Sequence, residues 1–550
     1  MWGRLVKRPF FLYEDDESFL GRFTHSDWSE YEHWLLRNRL FTLMQVRAMY
    51  RRSLLFNNRP RISVIMPVYN PDPSEFGYAI QSLIWQTYSN WELCIADDFS
   101  DKRDYLSVLS GFRDRRIKLF SLPARSGIAG ASQHALERAT GDYVALMDQD
   151  DELYPDAFYA FVSTLQERDI DFFYSDRDMI SPAGKRFQHF FRPDWSPEYL
   201  LSFNYVPHIE IYHRRLLLDI GGFRDGYEGS QDYDLVLRAT EKTDKIYHCS
   251  QVLYSWRQSK MSIAGNHETK AYTFASGIRA LTDAVVRRKL PVEKVVEQAD
   301  LWRGHYRIIW DNNILAGEKV TFVMIAQGPD ETRRLKVLLK ETADFLQNVE
   351  FVSLSFNHGE FDLLLKDIGQ DGYVFFCDTS ITQVVSSGLL DMIGYLAIEG
   401  VDVVGCKFLN EHNRILNAGL SISDSGKLLF AYQGSPPDEN GYGAVVSVPR
   451  NVSAVFPSFW GCKVSALHRR GGLQGGRSYF YAAMAFFRKV IKSGQRIVFV
   501  PYMCMKVDTG RLHYDSDMIL FLEDWKRDGL SDRFYNHNLT DHYEDFGIRL

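Results

Sequence analysis

DYVALMDQDD, residues 142–151, is a short apolar run that ends abruptly on Asp148, Asp150 and Asp151. Two carboxylates about 4 Å apart repel by roughly 4 kcal/mol at an effective dielectric of about 20. Such a cluster is either a solvated acidic turn or a site that waits for a cation. Upstream, RISVIMPVYN (61–70), WELCIADDFS (91–100) and RIKLFSL (116–122) have the same strand-like texture. Between them lie amphipathic segments such as AIQSLIWQ (79–86) and ASQHALERA (131–139). Strands alternating with helices predict an α/β fold with a largely parallel, doubly wound sheet. Ligands of such sheets sit at the carboxyl ends of the strands, where Asp97, Asp98, Asp148 and Asp150 all fall.

At 550 residues and 63.8 kDa the chain exceeds one ordinary core, and roughly two to four domains are expected. Residues 1–60 read as a helical N-terminal segment, with Trp34, Leu35, Leu40, Leu43 and Met44 on one face. An α/β domain follows over 61–265. ETKAYTFASGIRALTDAVVRRKL (268–290), stopped by Pro291, predicts a helical linker over 266–318. From Lys319 the chain runs KVTFVMIAQG, VEFVSLSFNH and DGYVFFCDTSI, repeating the order of the first landmarks and predicting a second, related domain over 319–510, with 511–550 as a tail packing on the domains. In this echo Ser355 and Phe356 stand for Asp97 and Asp98; Asp378 keeps the place of Asp148, while Ser380 and Ile381 replace Asp150 and Asp151.

A net charge of −7 and a pI near 6.1 argue against general nucleic-acid binding. The six cysteines are scattered without a CxxC pair, which predicts free thiols rather than a zinc site or disulfide framework. No stretch reaches the length of a bilayer span, so a cytoplasmic location is expected, with peripheral contact at the inner membrane through exposed aromatics left open.

VIMPVYN (64–70), IADDFSD (95–101), SGIAGASQHALERATGDYVALMDQDDELYPDA (126–157), GYEGSQDYDLVLR (226–238) and VLYSWR (252–257) stand in one order across 61–265. That ordered set resembles the family-2 inverting glycosyltransferases of the GT-A fold. FFRPDWSPEYLLSFNYVPH (190–208) and DRFYNHNL (532–539) are similar to bacterial enzymes of O-antigen and capsule assembly, in which tandem GT-A domains are common. The resemblance implies transfer of a sugar from a nucleotide-diphosphate donor to a hydroxyl of a growing surface glycan, free or lipid-linked, with a polysaccharide-assembly complex as a further partner.

The same resemblance implies the site. Asp148 and Asp150 form the DxD element, whose hard oxygens suit Mn²⁺ or Mg²⁺ bound to the donor diphosphate; Asp151 is either a third contact or the start of the next helix. Pro67, Tyr69 and one of Asp97 or Asp98 hold the nucleoside, the alternative for the acids being an Asx turn or helix cap. Arg125 pairs with phosphate or base, or is an ordinary surface charge. An inverting reaction needs a base for the acceptor hydroxyl, and Asp232 matches the family's acidic pair, although the first member is Gln231. Asp234 reads instead as a first-turn acid favoured by the helix dipole. Relatives often carry a histidine before WR, where this chain has Ser255; Trp256 and Arg257 remain as donor-site residues, or as a packed ring with a surface charge. His208 falls on the acceptor side, or is a satisfied, partly buried histidine.

The second domain lacks an acid between Gly476 and Phe487, with Ala482 and Ala483 near the place of the acidic pair, and is expected to be degenerate. Two competing readings are a non-catalytic glycan-binding scaffold, which predicts loss of the acids in both halves, and a nucleotidyltransferase, whose glycine-rich phosphate loop is missing from PVYNPDPSE (67–75).

Overall fold

The computed structural model describes residues 12–13, 29–258, 271–298, 300–301, 304–355, 368–473, 478–512, 515–541 and 545–549. They form two compact units. The first is built from the residues up to Trp195 and from Asn204–Ala284, with Ile548–Leu550; the second takes Ser196–Phe203 and Val285–Gly547. The expected boundary at 265/266 and the position of Phe356 lie outside the described residues.

The N-terminal segment opens with α1 (Glu30–Asn38) and α2 (Leu43–Ser53), each begun by a capping box, on Ser29 with Glu32 and on Thr42 with Gln45. The single apolar face expected across both does not form. The chain breaks at Arg39–Thr42, so Trp34 and Leu35 are buried while Leu43 and Met44 face solvent. Arg39 accounts for the break: its guanidinium turns inward and forms a two-pronged, buried ion pair with Asp156 at 2.6 and 3.0 Å.

The first sheet follows. Its strands are β1 (Ile62–Val68), β2 (Trp91–Asp97), β3 (Ile117–Ser121), β4 (Tyr143–Leu146), β5 (Glu152–Leu153), β6 (Phe172–Ile180), β7 (Arg186–Phe190), β8 (Glu210–His213) and β9 (Ile246–Arg257). The spatial order is β3-β2-β1-β4-β8-β6-β9-β5, with β7 beside β6. β1 and β2 are buried almost throughout, as continuous apolar runs at the centre of a parallel sheet should be. Pro67 fits inside β1 because β4 pairs with that strand only as far as Ile65↔Leu146. The crossover helices are α3 (Pro73–Ile84), capped by Asp72 with Pro73 in its first turn, and α4 (Gly127–Arg138). α5 (Gln231–Ala239) precedes β9.

Among the described residues of the region expected as a helical linker, the helices are α6 (Ala271–Arg287) and a short 3-10 turn at Asn312–Leu315. Beyond α6, β-branched residues alternate with charged ones, and the chain forms a hairpin of β10 (Val292–Glu297) and β11 (Tyr306–Trp310). The second sheet contains β12 (Val320–Ile325), β13 (Val349–Leu354), β14 (Tyr373–Asp378), β15 (Ile381–Ser386), β16 (Val401–Leu409), β17 (Phe459–Lys463) and β18 (Arg496–Val507) in the order β13-β12-β14-β17-β16-β18-β15. Position by position this repeats β2-β1-β4-β8-β6-β9-β5, with every neighbouring pair parallel or antiparallel in the same sense. The repeat expected from three weak landmarks extends over seven strands.

Two further expectations are corrected. Ser196–Phe203 belongs to the second unit, because Glu198 is a buried carboxylate whose partners are Arg496, at 2.9 Å, and Asn451, at 2.6 Å. Most of the C-terminal segment is likewise part of that unit. After α7 (Tyr479–Lys492) and β18, helix α8 (Asp515–Arg527) packs on α7, Asp524 accepting from the Tyr481 hydroxyl at 2.5 Å.

Beneath the first sheet, His248 lies between Asp176 (2.8 Å) and Asp194 (3.0 Å) and stacks on Tyr174. Burial alone would lower its pKa, but the two carboxylates outweigh it and push it up to about 9. A raised pKa means that the folded state holds the proton more tightly than the unfolded chain. The stabilisation is complete below pH about 6.5 and lost as pH rises through about 9. The difference in thermal midpoint between the wild type and His248→Gln is therefore expected to shrink across that window, as followed by circular dichroism from pH 6 to roughly 9.5.

Candidate active site

The carboxyl ends of β1, β2 and β4 bring together the residues singled out in the sequence. The two acids that follow β2 are separated by their partners. Asp97 accepts from the Ser100 backbone N–H at 3.0 Å, three residues on, which holds the turn after β2. Asp98 caps α4, its oxygens accepting from the N–H of Ser126 (2.6 Å) and Gly127 (3.0 Å). Gly127 is needed there because its φ of 75° brings its N–H round to the carboxylate. Arg125 is exposed; its guanidinium lies 3.9 Å from the centre of the Tyr69 ring and 3.9 Å from Asp98. Tyr69, Asp98 and Arg125 thus form one cluster, whereas Asp97 is turned into the fold.

The DQDD loop after β4 is held by its neighbours. Gln149 is the central clamp, accepting from the Tyr69 N–H at 2.8 Å and donating to the Tyr69 carbonyl at 3.3 Å. Asp151 is neither a free ligand nor a helix start: it accepts from the Tyr254 hydroxyl at 2.6 Å and from the Arg257 N–H at 2.7 Å. The Arg257 guanidinium, expected at the donor, donates instead to the Asp150 carbonyl at 2.8 Å and to Glu152. Trp256 is packed against the core with Arg177 over its face. Ser255 is buried and bonded to Asp178 and Arg186. Asp178 also accepts from the hydroxyls of Tyr31 (2.7 Å) and Tyr154 (2.8 Å), and Arg186 contacts Glu152 at 3.4 Å. A buried polar chain therefore runs from α1 to the DQDD loop.

The remaining acids meet over β4, β8 and α5. Burial, Asp150 and Asp232 together raise Asp148 to about 7, although 38% of its side chain still meets solvent. Burial raises Asp232 to about 6, against the opposing pull of the N–H groups at the start of α5. Asn204 donates to the Asp232 Oδ2 at 3.3 Å. Glu210 on β8 is fully buried and its carboxyl is held well above the usual range by burial, Asp232 and, opposed by Tyr212 and Arg192, Asp148. Its Oε1 and the Asn204 Oδ1 have no hydrogen-bond partner among the described residues. Asp234, by contrast, is buried between Arg224 (3.1 Å) and Arg238 (2.9 Å); it is a charge-paired core residue rather than an exposed first-turn acid.

His208, expected on the acceptor side, lies beside the DxD element: its Nε2 is 3.8 Å from the Asp148 Oδ2 and its ring stacks on Tyr254 at 5.1 Å. Burial, with Arg177 and Arg192, lowers its pKa to about 3, so the imidazole is neutral. Sequence reasoning missed Gln149, Asn204 and Glu210. The available signal was a glutamate inside the apolar strand IEIYH (209–213), where a charge contradicts the pattern.

The second unit is an internal comparison. Asp378, at the place of Asp148, accepts from the Ser380 N–H (2.8 Å), the Ser380 hydroxyl and the Ser458 hydroxyl (2.8 Å). Counting back from the paired ends Tyr143↔His213 and Tyr373↔Lys463 puts Ser458 at the place of His208 and Trp460 at that of Glu210. α7 has no acid in any turn, and its first turn is Tyr479, Phe480 and Tyr481, with Ala482 and Ala483 buried beyond. Among the described residues no three His, Cys, Asp or Glu side chains are close enough to hold a metal ion unaided, in either unit.

Residues 63–219 match the model of Glycosyl transferase family 2. The chain is 28% identical over 546 residues to the uncharacterized protein y4gI of Sinorhizobium fredii, covering 89% of this chain and 58% of that one. It is 26% identical over 413 residues to O-antigen biosynthesis protein RfbC of Myxococcus xanthus, covering 70% and 32%. A shorter match, 36% over 120 residues and covering 22% and 47%, is to the UDP-Glc:alpha-D-GlcNAc-diphosphoundecaprenol beta-1,3-glucosyltransferase WfgD of Escherichia coli. The chain spans less than two thirds of the length of each of these relatives. The matched residues lie in the first unit apart from Ser196–Phe203, which belong to the second.

The two acids of α5 should separate in a stability measurement. Asp234→Asn leaves Arg224 and Arg238 short of their partner and is expected to cost about 3–5 kcal/mol in urea unfolding. Asp232→Asn removes a carboxylate from a like-charged cluster and should leave stability within about 1 kcal/mol of the wild type or raise it.

Proposed function

We propose that the first unit is a metal-dependent, inverting glycosyltransferase that moves a sugar from a nucleotide-diphosphate donor to a hydroxyl of a bacterial surface glycan. The observation that carries this reading is the gathering of Asp148, Asp150 and Asp232 at one end of the sheet, where burial and mutual repulsion raise Asp148 to about 7 and burial raises Asp232 to about 6. A fold has no use for such a cluster by itself. The same sheet is built a second time in this chain with Asp378 closed off by two serines. RfbC is named for O-antigen biosynthesis and WfgD for transfer of glucose to a diphosphoundecaprenol-linked sugar, which supports a surface-glycan acceptor, free or lipid-linked.

A divalent cation fits this donor set. Its oxygens are hard carboxylates, the Asp148 carboxylate carries no hydrogen-bond donor among the described residues, and buried acceptors nearby lack partners. Asp148 and Asp150 would hold Mn²⁺ or Mg²⁺ together with the donor diphosphate. When bound, the cation neutralises charge developing on the departing diphosphate.

The chain's own residues account for the rest. Tyr69, Asp98 and Arg125 form the nucleoside side, where a ring face and a guanidinium can take a base and its phosphates. Gln149, Asp151 and Arg257 hold the DQDD loop so that Asp148 and Asp150 keep their aim. The Asp232 carboxylate takes the proton from the acceptor hydroxyl as its oxygen attacks the anomeric carbon, and the Asn204 amide fixes which carboxylate oxygen is free. The second unit, without base or open acids, is not a catalyst of this kind; it supports the first or holds acceptor glycan.

Asp232→Asn should lower transfer by at least about a thousandfold while leaving binding of the nucleoside diphosphate intact by calorimetry. Retained turnover would remove Asp232 as the base. Because this base works deprotonated and is pushed up to about 6, kcat/KM should fall as pH drops below about 6. Asp150→Ala should abolish the Mn²⁺-dependent part of diphosphate binding, and metal-independent binding untouched by that change would overturn the donor-site assignment.

A further inference from the structure

We infer that the imidazole of His208 is itself a ligand, through Nε2, of the divalent cation carried with the donor diphosphate, standing next to Asp148. This deepens the donor-site reading above and rests on it. Three observations carry it. The first is position: Nε2 faces the Asp148 Oδ2 at 3.8 Å, too long for a hydrogen bond and short enough for two atoms to share one ion between them. The ring is held there by stacking on Tyr254, whose hydroxyl also takes the Asp148 N–H (3.3 Å) and donates to Asp151. The residue that orients the histidine is thus bonded to the loop that bears the acids.

The second observation is an unmet bonding capacity. The fully buried Glu210 keeps its Oε1 without a hydrogen-bond partner among the described residues. A buried carboxylate oxygen with no donor on it, close to Asp148 and Asp232, describes surroundings that lack a cation.

The third is the internal comparison. At the equivalent position of the second sheet stands Ser458, and its hydroxyl closes directly on Asp378 at 2.8 Å. There the acid is satisfied by the chain. In the first unit the imidazole Nε2 stands 3.8 Å from the Asp148 Oδ2, so the histidine does not close on the acid by a hydrogen bond. The histidine expected before Trp256 is Ser255 here, buried and bonded to Asp178 and Arg186, so it offers no nitrogen in its place.

The test uses the full chain, stripped of metal and given Mn²⁺ with UDP or with GDP. Electron spin-echo modulation of bound Mn²⁺ should show a directly coordinated ¹⁴N in the wild type, replaced by a ¹⁵N signal when histidine alone is labelled, and lost in His208→Gln. The same substitution should weaken Mn²⁺ by at least about tenfold and Mg²⁺ by clearly less, because imidazole favours the transition ion. Bound Mn²⁺ that depends on Asp150 but shows no histidine nitrogen in the wild type would overturn the inference and leave the donor-site reading standing. Loss of UDP affinity in His208→Gln with an unchanged Mn²⁺ to Mg²⁺ preference would overturn it too, by making the histidine a phosphate contact. Absence of Mn²⁺ binding with either nucleotide would overturn both. The wild-type labelling result decides the matter even if His208→Gln proves unstable.

Discussion

Like charges held close at the end of β4 are the constraint on which the first unit is organised. Asp148, Asp232 and Glu210 are carboxyl groups that burial makes costly to ionise, with Asp150 adding its charge beside Asp148, and all three are raised above their ordinary values. Arg192 offsets part of this at Glu210, and two other arginines bond into the frame around the loop: Arg257 to Glu152 and the Asp150 carbonyl, Arg186 to Glu152 and Asp178. On the proposed reading, a cation entering the cluster would stabilise the folded state, since it binds acids that repel one another.

The second sheet measures how much of this belongs to the scaffold. Seven strands recur in the same order and sense, with an aspartate at the same point of the central strand. There two serines close the aspartate into a hydrogen-bonded corner. A tryptophan takes the place of Glu210, and its indole donates to Tyr479 on α7, the helix that corresponds to α5. The two sheets share a topology while one has acids where the other has aromatic packing, a difference that strand patterning alone does not show.

Much of the architecture was legible from patterning, since strand texture and crossover helices are local properties. Asp148, Asp150 and Asp232 were legible because they end apolar runs or open a helix. What escaped depends on partners distant in sequence. Asp234 reads like any first-turn acid until Arg224 and Arg238 are seen on both sides of it. Arg257 reads like a phosphate ligand until its guanidinium is found tied to the DQDD loop, and Ser196–Phe203 reads like part of the first domain until Glu198 is found against Arg496. The linker was mistaken for helix because the 3.6-residue period of α6 was carried past Arg287 into a stretch with alternating character.

The hydroxyl of Tyr31 on Asp178 has a bearing on portability. The family match begins at residue 63, yet the polar chain that reaches the DQDD loop starts more than thirty residues earlier, on a helix outside that boundary. A family domain excised at its formal edge would leave a buried carboxylate short of one donor and Asp156 without Arg39. The stretch that carries the family match is thus bonded, through buried side chains, to a helix that precedes it, so the edge of the match is not an edge of the packed unit.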